Sequence, residues 1–287
     1  MRILLIGARG QLGTALRAEL SAEVISPDRG QLNLNDPAVV RLAIEELKPN
    51  VVINAAAYNL VDKAEDDPAE AFAVNAFAVR NLAQSSEAVG ATLVHVSTDY
   101  VFGLEPHSTP WQETDAPGPA GVYGASKLTG EYFARSACSR HYVLRTCGLY
   151  GVAESAGKGN FIATMLRLGK ERGRISVVDD QHCTPTAAVD LARAICQILP
   201  TEQYGLYHAT NSGATTWCRL AIETFRLAGL AVEVQPITTA QFNAKAKRPA
   251  YSVLDCGKLA GVIGAPIPAW QDAVARYLRV RGDLAGA

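Results

Sequence analysis

The sequence predicts an α/β protein built on a doubly wound parallel Rossmann-type sheet that carries a smaller α/β substrate-binding lobe. Short apolar runs rich in Ile, Leu and Val alternate with longer stretches of helical period, which is the pattern of a parallel sheet covered on both faces. The 287 residues, 48% of them apolar, suffice to bury one large core. This alternation of strand-like and helix-like segments becomes less regular after position 147. We therefore expect a dinucleotide-binding domain at 1–147, with segments returning to it within about 183–211, and a lobe formed mainly by 148–287.

The first predicted strand, at 3–6, runs directly into a glycine-rich turn that opens a helix at 14–20. The turn has GxxGxxG spacing, with glycines at positions 7, 10 and 13. Glycine lets the backbone approach a pyrophosphate closely, and the free N–H groups and dipole of the following helix favour that anion. An ordinary glycine-rich turn is the alternative, but the position directly after the first strand favours a dinucleotide site.

Charged residues after the second predicted strand, at 24–26, bear on the choice of coenzyme. An acid about 20 residues beyond such a turn often holds the ribose 2′-hydroxyl of NAD, and Asp28 follows this strand. Arg29 beside it and Arg9 in the turn could instead hold the 2′-phosphate of NADP. Asp28 and Arg29 are equally compatible with solvated loop charges, so NADH and NADPH both stay open.

Three more strands are predicted at 51–54, 93–97 and 142–145, with amphipathic helices at 38–47 and 69–86. Right-handed crossovers between parallel strands place a ligand crevice at their carboxyl ends. The fourth strand ends in the hydroxyl groups of Ser97 and Thr98, and we expect one of them to donate to a substrate carbonyl there. The same two residues could instead form a turn or cap a helix through Asp99.

Tyr123 and Lys127 are four residues apart, on one face of a predicted helix. The pair is a weak motif alone, but carbonyl reduction leaves an alkoxide that needs a proton donor nearby. The free pKa of tyrosine is about 10, and a neighbouring ammonium lowers it by favouring the phenolate. We predict that Lys127 lowers the pKa of Tyr123 while its other donors hold ribose hydroxyls.

Beyond position 147 we predict a helix at 161–172, a strand at 175–178, a helix at 188–199 and a closing amphipathic helix that contains Trp270 and Leu278. Arg248 precedes a proline and follows two lysines, so its planar guanidinium could bind diphosphate oxygens. A solvated basic loop is the alternative reading of this segment.

Composition bears on several classes of partner. A net charge of -1 gives no general attraction to nucleic acid or to an anionic membrane, and no apolar run has the length of a signal peptide core or a membrane span. The six cysteines include no CxxC pair and the five histidines have no ligand spacing, so we predict neither a disulfide framework nor a metal site. We expect a cytoplasmic protein with free thiols, for which a homodimer stays open.

Taken together, the glycine turn, the strand end at 96–102 and the helix start at 122–128 resemble the extended short-chain dehydrogenase/reductase superfamily. Further segments, at 54–58, 61–65, 160–168, 179–186 and 248–255, narrow this resemblance to the dTDP-4-dehydrorhamnose reductase family. It extends over nearly the whole chain. It implies NADPH or NADH as hydride donor, a dTDP-linked 4-keto-6-deoxy sugar as acceptor and dTDP-L-rhamnose as product.

The resemblance also implies roles for individual residues. Thr98 would polarise the ketone, Tyr123 would deliver the proton, and Lys127 would orient the cofactor ribose and tune Tyr123. The further cofactor contacts are Gly7, Gly10, Gln11 and Leu12 at the pyrophosphate and Ala55, Ala56, Ala57 and Tyr58 beside it. The further substrate contacts are Asp99, Tyr100, Asn160 and Arg248.

The chain departs from the family pattern after the fifth strand. The family commonly has a tryptophan against the sugar where this chain has Gly148. This glycine would leave a roomier pocket for a different 4-keto sugar, unless another aromatic residue such as Trp217 or Tyr150 fills the space. Cys183 replaces a usual glycine, but away from the proposed proton path.

Two other functions compete with this reading. One is a different enzyme of the superfamily, such as an epimerase, a dehydratase or another nucleotide-sugar reductase. A dehydratase usually has an Asp-Glu pair next to the strand-end threonine, whereas this chain has Asp99 and Tyr100. The other is a regulatory protein similar to the beta subunit of methionine adenosyltransferase. The intact set of Thr98, Tyr123 and Lys127 favours an enzyme.

Overall fold

The computed structural model describes residues 1–153 and 159–286. Its strands, in chain order, are β1 (Arg2–Ile6), β2 (Glu23–Ile25), β3 (Val51–Asn54), β4 (Thr92–Thr98), β5 (His141–Thr146), β6 (Leu149–Tyr150), β7 (Arg174–Val178), β8 (His182–Cys183), β9 (Thr186–Ala187), β10 (Gly205–His208), β11 (Thr215–Thr216) and β12 (Glu233–Ile237). Its α-helices are α1 (Gln11–Glu19), α2 (Pro37–Leu47), α3 (Val61–Ala64), α4 (Pro68–Phe72), α5 (Ala78–Ala88), α6 (Val122–Ala137), α7 (Phe161–Arg172), α8 (Ala188–Ile198), α9 (Trp217–Leu227), α10 (Thr239–Phe242), α11 (Gly257–Ile263) and α12 (Trp270–Arg281).

Six parallel strands form the central sheet, in the order β10-β5-β4-β3-β1-β2. The chain moves outward from β1 to β2, then crosses back to β3 on the other side of β1 and continues through β4 and β5. The direction of winding therefore reverses between β1 and β3, and a crevice opens at their carboxyl ends. The predicted doubly wound parallel sheet is confirmed.

Helices cover both faces of this sheet, because alternate strand residues bury apolar side chains in opposite directions. On one face, side chains of the strands pack with residues of α1 and α8, among them Leu5, Ile53, Leu144, Leu16, Leu191 and Ile195. On the other, they pack with α2, α5 and α6, among them Leu4, Val52, Val143, Ile44, Leu82 and Ala134. This second face also holds the polar residues that matter below.

The predicted helix at 69–86 is interrupted in the structure. A π-helical turn at Ala73–Phe77 joins α4 to α5, and its wider backbone spacing was not readable from the apolar pattern. The turn directs Asn75 inward, where its amide bonds both the N–H and the carbonyl of Tyr58, at 2.8 and 2.9 Å. The irregular turn therefore fixes a loop at the crevice.

Part of the second half of the chain packs around its own apolar core as a smaller lobe, while α8 and β10 pack with the central sheet. Strands β7 and β12 pair in parallel, and α7, α9 and α12 pack together through a core that includes Ile162, Leu220 and Leu278. Asn160 caps α7 by accepting a hydrogen bond from the N–H of Ala163 at 2.9 Å. Strand β10 rejoins the central sheet beside β5. No helix within the described residues is long and apolar enough to span a membrane.

Candidate active site

A cavity of about 820 Å³ opens at the carboxyl ends of the central strands. It brings together twelve of the predicted site residues: Gly7, Gly10, Gln11, Leu12, Arg29, Ala55, Ala56, Ala57, Tyr58, Thr98, Tyr123 and Lys127. Asn160 lies at its lobe side. The glycine turn and the Tyr–Lys helix therefore face the same space.

Gly7 adopts a backbone conformation that favours glycine, with φ of +80°. A Cβ atom at this position would lie 2.8 Å from the backbone of Ala55 and Ala56. The turn closes by a 3.0 Å hydrogen bond from the N–H of Gly10 to the carbonyl of Gly7. This leaves a backbone cradle in front of the first turn of α1, which suits the pyrophosphate of a dinucleotide.

A second cavity of about 500 Å³ shares Gly7, Arg29, Ala56 and Ala57 with the first and is also lined by Arg9, Arg17 and Asp28. Asp28 is engaged by its own turn, because Oδ1 accepts from the N–H groups of Gly30 and Gln31 at 2.9 and 3.0 Å. Its Oδ2 faces Arg9 at 3.4 Å. Arginines thus outnumber carboxylates around this second cavity. It continues the larger cavity beyond the glycine turn.

Thr98 and Tyr123 meet at the inner wall of the larger cavity. Thr98 ends β4, and its Oγ1 accepts from the N–H of Tyr100 at 3.2 Å and donates to Asp99 Oδ1 at 3.1 Å. Tyr123 is the second residue of α6, and its phenol shares a hydrogen bond with the Thr98 hydroxyl. Hydroxyl and phenol can therefore reach one carbonyl oxygen between them.

The prediction that Lys127 lowers the pKa of Tyr123 is wrong for this structure. Burial raises the pKa of Tyr123 to about 12, and only the hydrogen bond with Thr98 opposes the rise. The reason is the direction of the lysine side chain. Nζ of Lys127 donates to the carbonyl of Val96 at 2.6 Å, so it is held against β4 and not against the phenol.

Lys127 is almost completely buried, with 2% of its surface exposed. Burial lowers its pKa to about 8, while the carboxylate of Glu131 one turn along α6 acts in the opposite sense. Nζ also lies 3.5 Å from Nε2 of His95. Lys127 therefore begins to lose its positive charge at mildly alkaline pH.

An ion pair that the sequence did not predict lies beneath these residues. Arg145 of β5 binds Glu131 of α6 through Nε at 2.9 Å and through Nη2 at 2.7 Å, and both side chains are buried. Ser97 donates to the same carboxylate at 2.5 Å. Ser97 and Thr98 both line the cavity, but the Ser97 hydroxyl gives its proton to Glu131, so Thr98 is the better placed of the two to donate to a substrate.

Three of the predicted substrate contacts lie outside the wall of the large cavity. Asp99 is buried behind Thr98, and burial raises its pKa. Tyr100 borders a small neighbouring cavity and packs edge-on against Tyr123, with ring centres 5.7 Å apart. Arg248 pairs with Asp62 at 2.9 Å, which lowers the pKa of that carboxyl group.

Asn160 has little free hydrogen-bonding capacity. Besides capping α7, it donates to the Tyr277 hydroxyl at 2.9 Å and to the carbonyl of Gly151 at 3.0 Å. It orders the cavity rim where the lobe meets the glycine turn.

The space in front of Gly148 is filled by Trp217. Gly148 has a φ of +51°, and a Cβ atom there would lie 3.0 Å from Cη2 of Trp217. The other candidate, Tyr150, is buried in the lobe core and packs against Tyr277. An aromatic ring therefore packs beside Gly148, and it comes from the start of α9. No group of three or more His, Cys, Asp or Glu side chains in the described part of the chain could hold a metal ion.

Comparison with known proteins gives consistent matches along the chain. The family model described as RmlD substrate binding domain matches residues 1–281. A dTDP-4-dehydrorhamnose reductase of Streptomyces griseus is 42% identical over 285 residues, which cover 95% of this chain and 91% of that protein.

Solved structures agree with the sequence matches. A dTDP-4-dehydrorhamnose reductase from Clostridium acetobutylicum has a TM-score of 0.93 at 39% identity, covering 98% of this chain and 100% of that one. The dTDP-4-dehydrorhamnose reductase of Bacillus anthracis, solved in complex with NADP, has a TM-score of 0.92 at 37% identity and covers 97% of this chain and 99% of its own.

Proposed function

The chain belongs to the RmlD substrate binding domain family, and from that premise we propose that it is an NAD(P)H-dependent oxidoreductase that reduces dTDP-4-dehydrorhamnose to dTDP-L-rhamnose. The observation that carries the proposal is the meeting of Thr98, Tyr123 and Lys127 in one cavity with the glycine turn. A hydroxyl that polarises the ketone, a proton donor and a dinucleotide cradle are the three parts that the protein must supply for carbonyl reduction.

Tyr123 acts as the proton donor. At neutral pH its phenol is protonated, because burial raises its pKa to about 12. The alkoxide that forms at C4 of the sugar is a still stronger base, so transfer of the phenolic proton is downhill. The phenol is therefore available as an acid throughout the neutral range, although its pKa shift is the opposite of the one expected from the sequence.

Thr98 polarises the ketone. Its hydroxyl donates to Asp99 in the structure, at 3.1 Å. The same hydroxyl would turn from Asp99 to the substrate oxygen, which becomes a stronger acceptor as negative charge grows on it. In this proposal Asp99 acts through Thr98 and does not touch the sugar.

Lys127 holds the cofactor. When bound, the reduced nicotinamide supplies the hydride. The donors of Lys127 that Val96 does not use are available to ribose hydroxyl groups at the floor of the cavity. The Gly7 cradle, with Gly10, Gln11 and Leu12, receives the pyrophosphate, and Ala55 to Tyr58 line the opposite side.

The second cavity receives the adenosine end of the coenzyme. Arg9, Arg17 and Arg29 give it a positive lining, and both carboxylate oxygens of Asp28 already have partners. A 2′-phosphate gains charge-assisted hydrogen bonds there, so we propose that NADPH is preferred over NADH.

The sugar lies between the Thr98–Tyr123 pair and the lobe. Trp217 occupies the space in front of Gly148, so the glycine does not enlarge the pocket there and the proposal keeps a 4-keto-6-deoxy sugar as substrate. Asn160 shapes the rim, Tyr100 supports Tyr123, and Arg248 would have to leave Asp62 in order to bind the diphosphate.

A substrate panel tests the proposal. The purified chain is assayed with dTDP-, GDP- and UDP-linked 4-keto sugars, each with NADPH and NADH, by the loss of reduced-nicotinamide absorbance. The proposal predicts the highest kcat/KM with dTDP-4-dehydrorhamnose and NADPH. Absence of turnover with every keto sugar and both coenzymes would exclude a reductase, and tightly held NAD in fresh protein would favour an epimerase.

The same proposal places the enzyme in the cytoplasm, without a nucleic-acid partner. Whether it is a homodimer is decided by light scattering on the purified chain at the concentration used for assays.

A further inference from the structure

Two polar residues lie side by side in the interior, next to the site. Asn54 ends β3 and His95 lies in β4, directly opposite it in the parallel register. Neither exposes more than 1% of its surface. Their side chains meet on the face of the sheet covered by α6, with 3.2 Å between Nδ2 of Asn54 and Nδ1 of His95.

The backbone determines which way the asparagine amide points. The N–H of Ala56 donates to Oδ1 of Asn54 at 3.2 Å, so the amide oxygen is used and the NH₂ group faces His95. Nδ1 of His95 must then accept a hydrogen bond. A neutral imidazole carries one proton, which therefore lies on Nε2.

That Nε2–H group faces Nζ of Lys127 at 3.5 Å. An ammonium has three donors and no lone pair, so two donors confront each other when Lys127 is charged. A neutral amine can accept from Nε2–H and still donate to Val96, which satisfies every group in the series. Asn54 and His95 thus favour the uncharged form of Lys127.

Other groups near Lys127 act differently. Glu131 of α6 favours the ammonium, but Arg145 of β5 and Ser97 of β4 bind its carboxylate. Tyr123 of α6 borders the same cavity as a neutral phenol. Among these described groups, His95 opposes the charge through its contact with Nζ at 3.5 Å.

We propose that His95, oriented by Asn54, is a positioning residue that sets the charge of Lys127 and thereby the upper pH limit at which the site works. The proposal rests on the proposed function for the role of Lys127 in the reaction. Burial, which lowers the pKa of Lys127 to about 8, acts in the same direction. The contact lets Lys127 lose its charge in a pH range where an ordinary lysine stays charged.

Two substitutions would each give Nζ of Lys127 a hydrogen-bond acceptor in place of the Nε2–H donor of His95. His95→Gln offers a rotatable amide whose oxygen can accept from the ammonium. Asn54→Asp accepts from Nδ1–H, which moves the imidazole lone pair to Nε2. Each variant should move the alkaline limb of kcat/KM upward by about one pH unit or more. His141→Gln is the matched control, because the ring of His141 contacts the carbonyl of Cys138 through Nδ1 at 2.6 Å and not Lys127.

The charge of Lys127 is also measured directly, by NMR titration of ¹³C-labelled lysine side chains with Lys127→Met for assignment. Its midpoint should rise in His95→Gln and in Asn54→Asp and stay unchanged in His141→Gln. A lower kcat at all pH values with an unchanged midpoint in both variants would overturn the proposal and leave His95 a packing residue. This titration needs no substrate, so it stays decisive even if the keto-sugar assays fail.

Discussion

Nζ of Lys127 lies 3.5 Å from Nε2 of His95, in a region from which solvent is excluded. The lysine is turned toward β4, and the phenol of Tyr123 keeps a pKa of about 12. Different contacts therefore set the pKa of the proton donor, Tyr123, and the pKa of the cation, Lys127. Tyr123 stays protonated over the working range, and Lys127 is the group that titrates within it.

The first prediction concerns pH. Burial lowers the pKa of Lys127 to about 8, so its ammonium is present below that pH and is lost above it. Loss of the charge weakens the hydrogen bonds to the coenzyme ribose. The KM for NADPH should rise and kcat/KM should fall as the pH passes 8, measured in buffers of constant ionic strength. A flat profile up to pH 10 would show that the bound coenzyme keeps Lys127 charged.

The second prediction concerns Thr98. Thr98→Val keeps the shape of the side chain and removes the hydroxyl, so the ketone loses a donor and kcat should fall about 10²- to 10³-fold. Binding of NADPH, followed by its fluorescence, should not change. Because Thr98 also accepts from the N–H of Tyr100, thermal unfolding of the variant is the control for a local structural defect.

The third prediction concerns coenzyme choice. Removing both Arg9 and Arg29 by substitution with alanine should raise the KM for NADPH about tenfold or more, because a 2′-phosphate loses charge-assisted hydrogen bonds. The KM for NADH should change little. Arg41→Ala, which removes an exposed arginine paired with Glu45, serves as the matched control. Equal losses with both coenzymes would contradict a 2′-phosphate site here.

The fourth prediction concerns the wall behind Gly148. Gly148→Ala should lower the free energy of unfolding by about 1–2 kcal/mol, because its left-handed backbone disfavours alanine. A further loss should come from the contact with Trp217, 3.0 Å from the added Cβ. Gly90→Ala has a similar φ of +68° with open space around it, so the difference between the variants isolates the contact. In urea unfolding, Gly148→Ala should cost less in the Trp217→Leu background than in the parent chain, by about that difference.

Much of the fold could be predicted, because parallel strands buried on both faces are continuous apolar runs. The predicted strand at 51–54 matches β3, and the predicted helix at 161–172 matches α7. The π-helical turn was missed because one extra residue per turn leaves the apolar pattern almost unchanged.

The site was harder to predict than the fold. Spacing along α6 brings Lys127 near Tyr123 but does not determine where a flexible four-carbon side chain ends. The pairing of Asn54 with His95 depends on the register of two adjacent strands, because the two residues are 41 positions apart in the sequence. A signal was present, since two polar residues near the ends of adjacent apolar strands must find partners when buried.

The central claim is that Tyr123 gives its proton to the reduced ketone, and Tyr123→Phe with dTDP-4-dehydrorhamnose and NADPH tests it most directly. We expect kcat to fall about 10²- to 10⁴-fold, with unchanged NADPH affinity and unfolding midpoint. A variant that turns over as fast as the parent enzyme would contradict it.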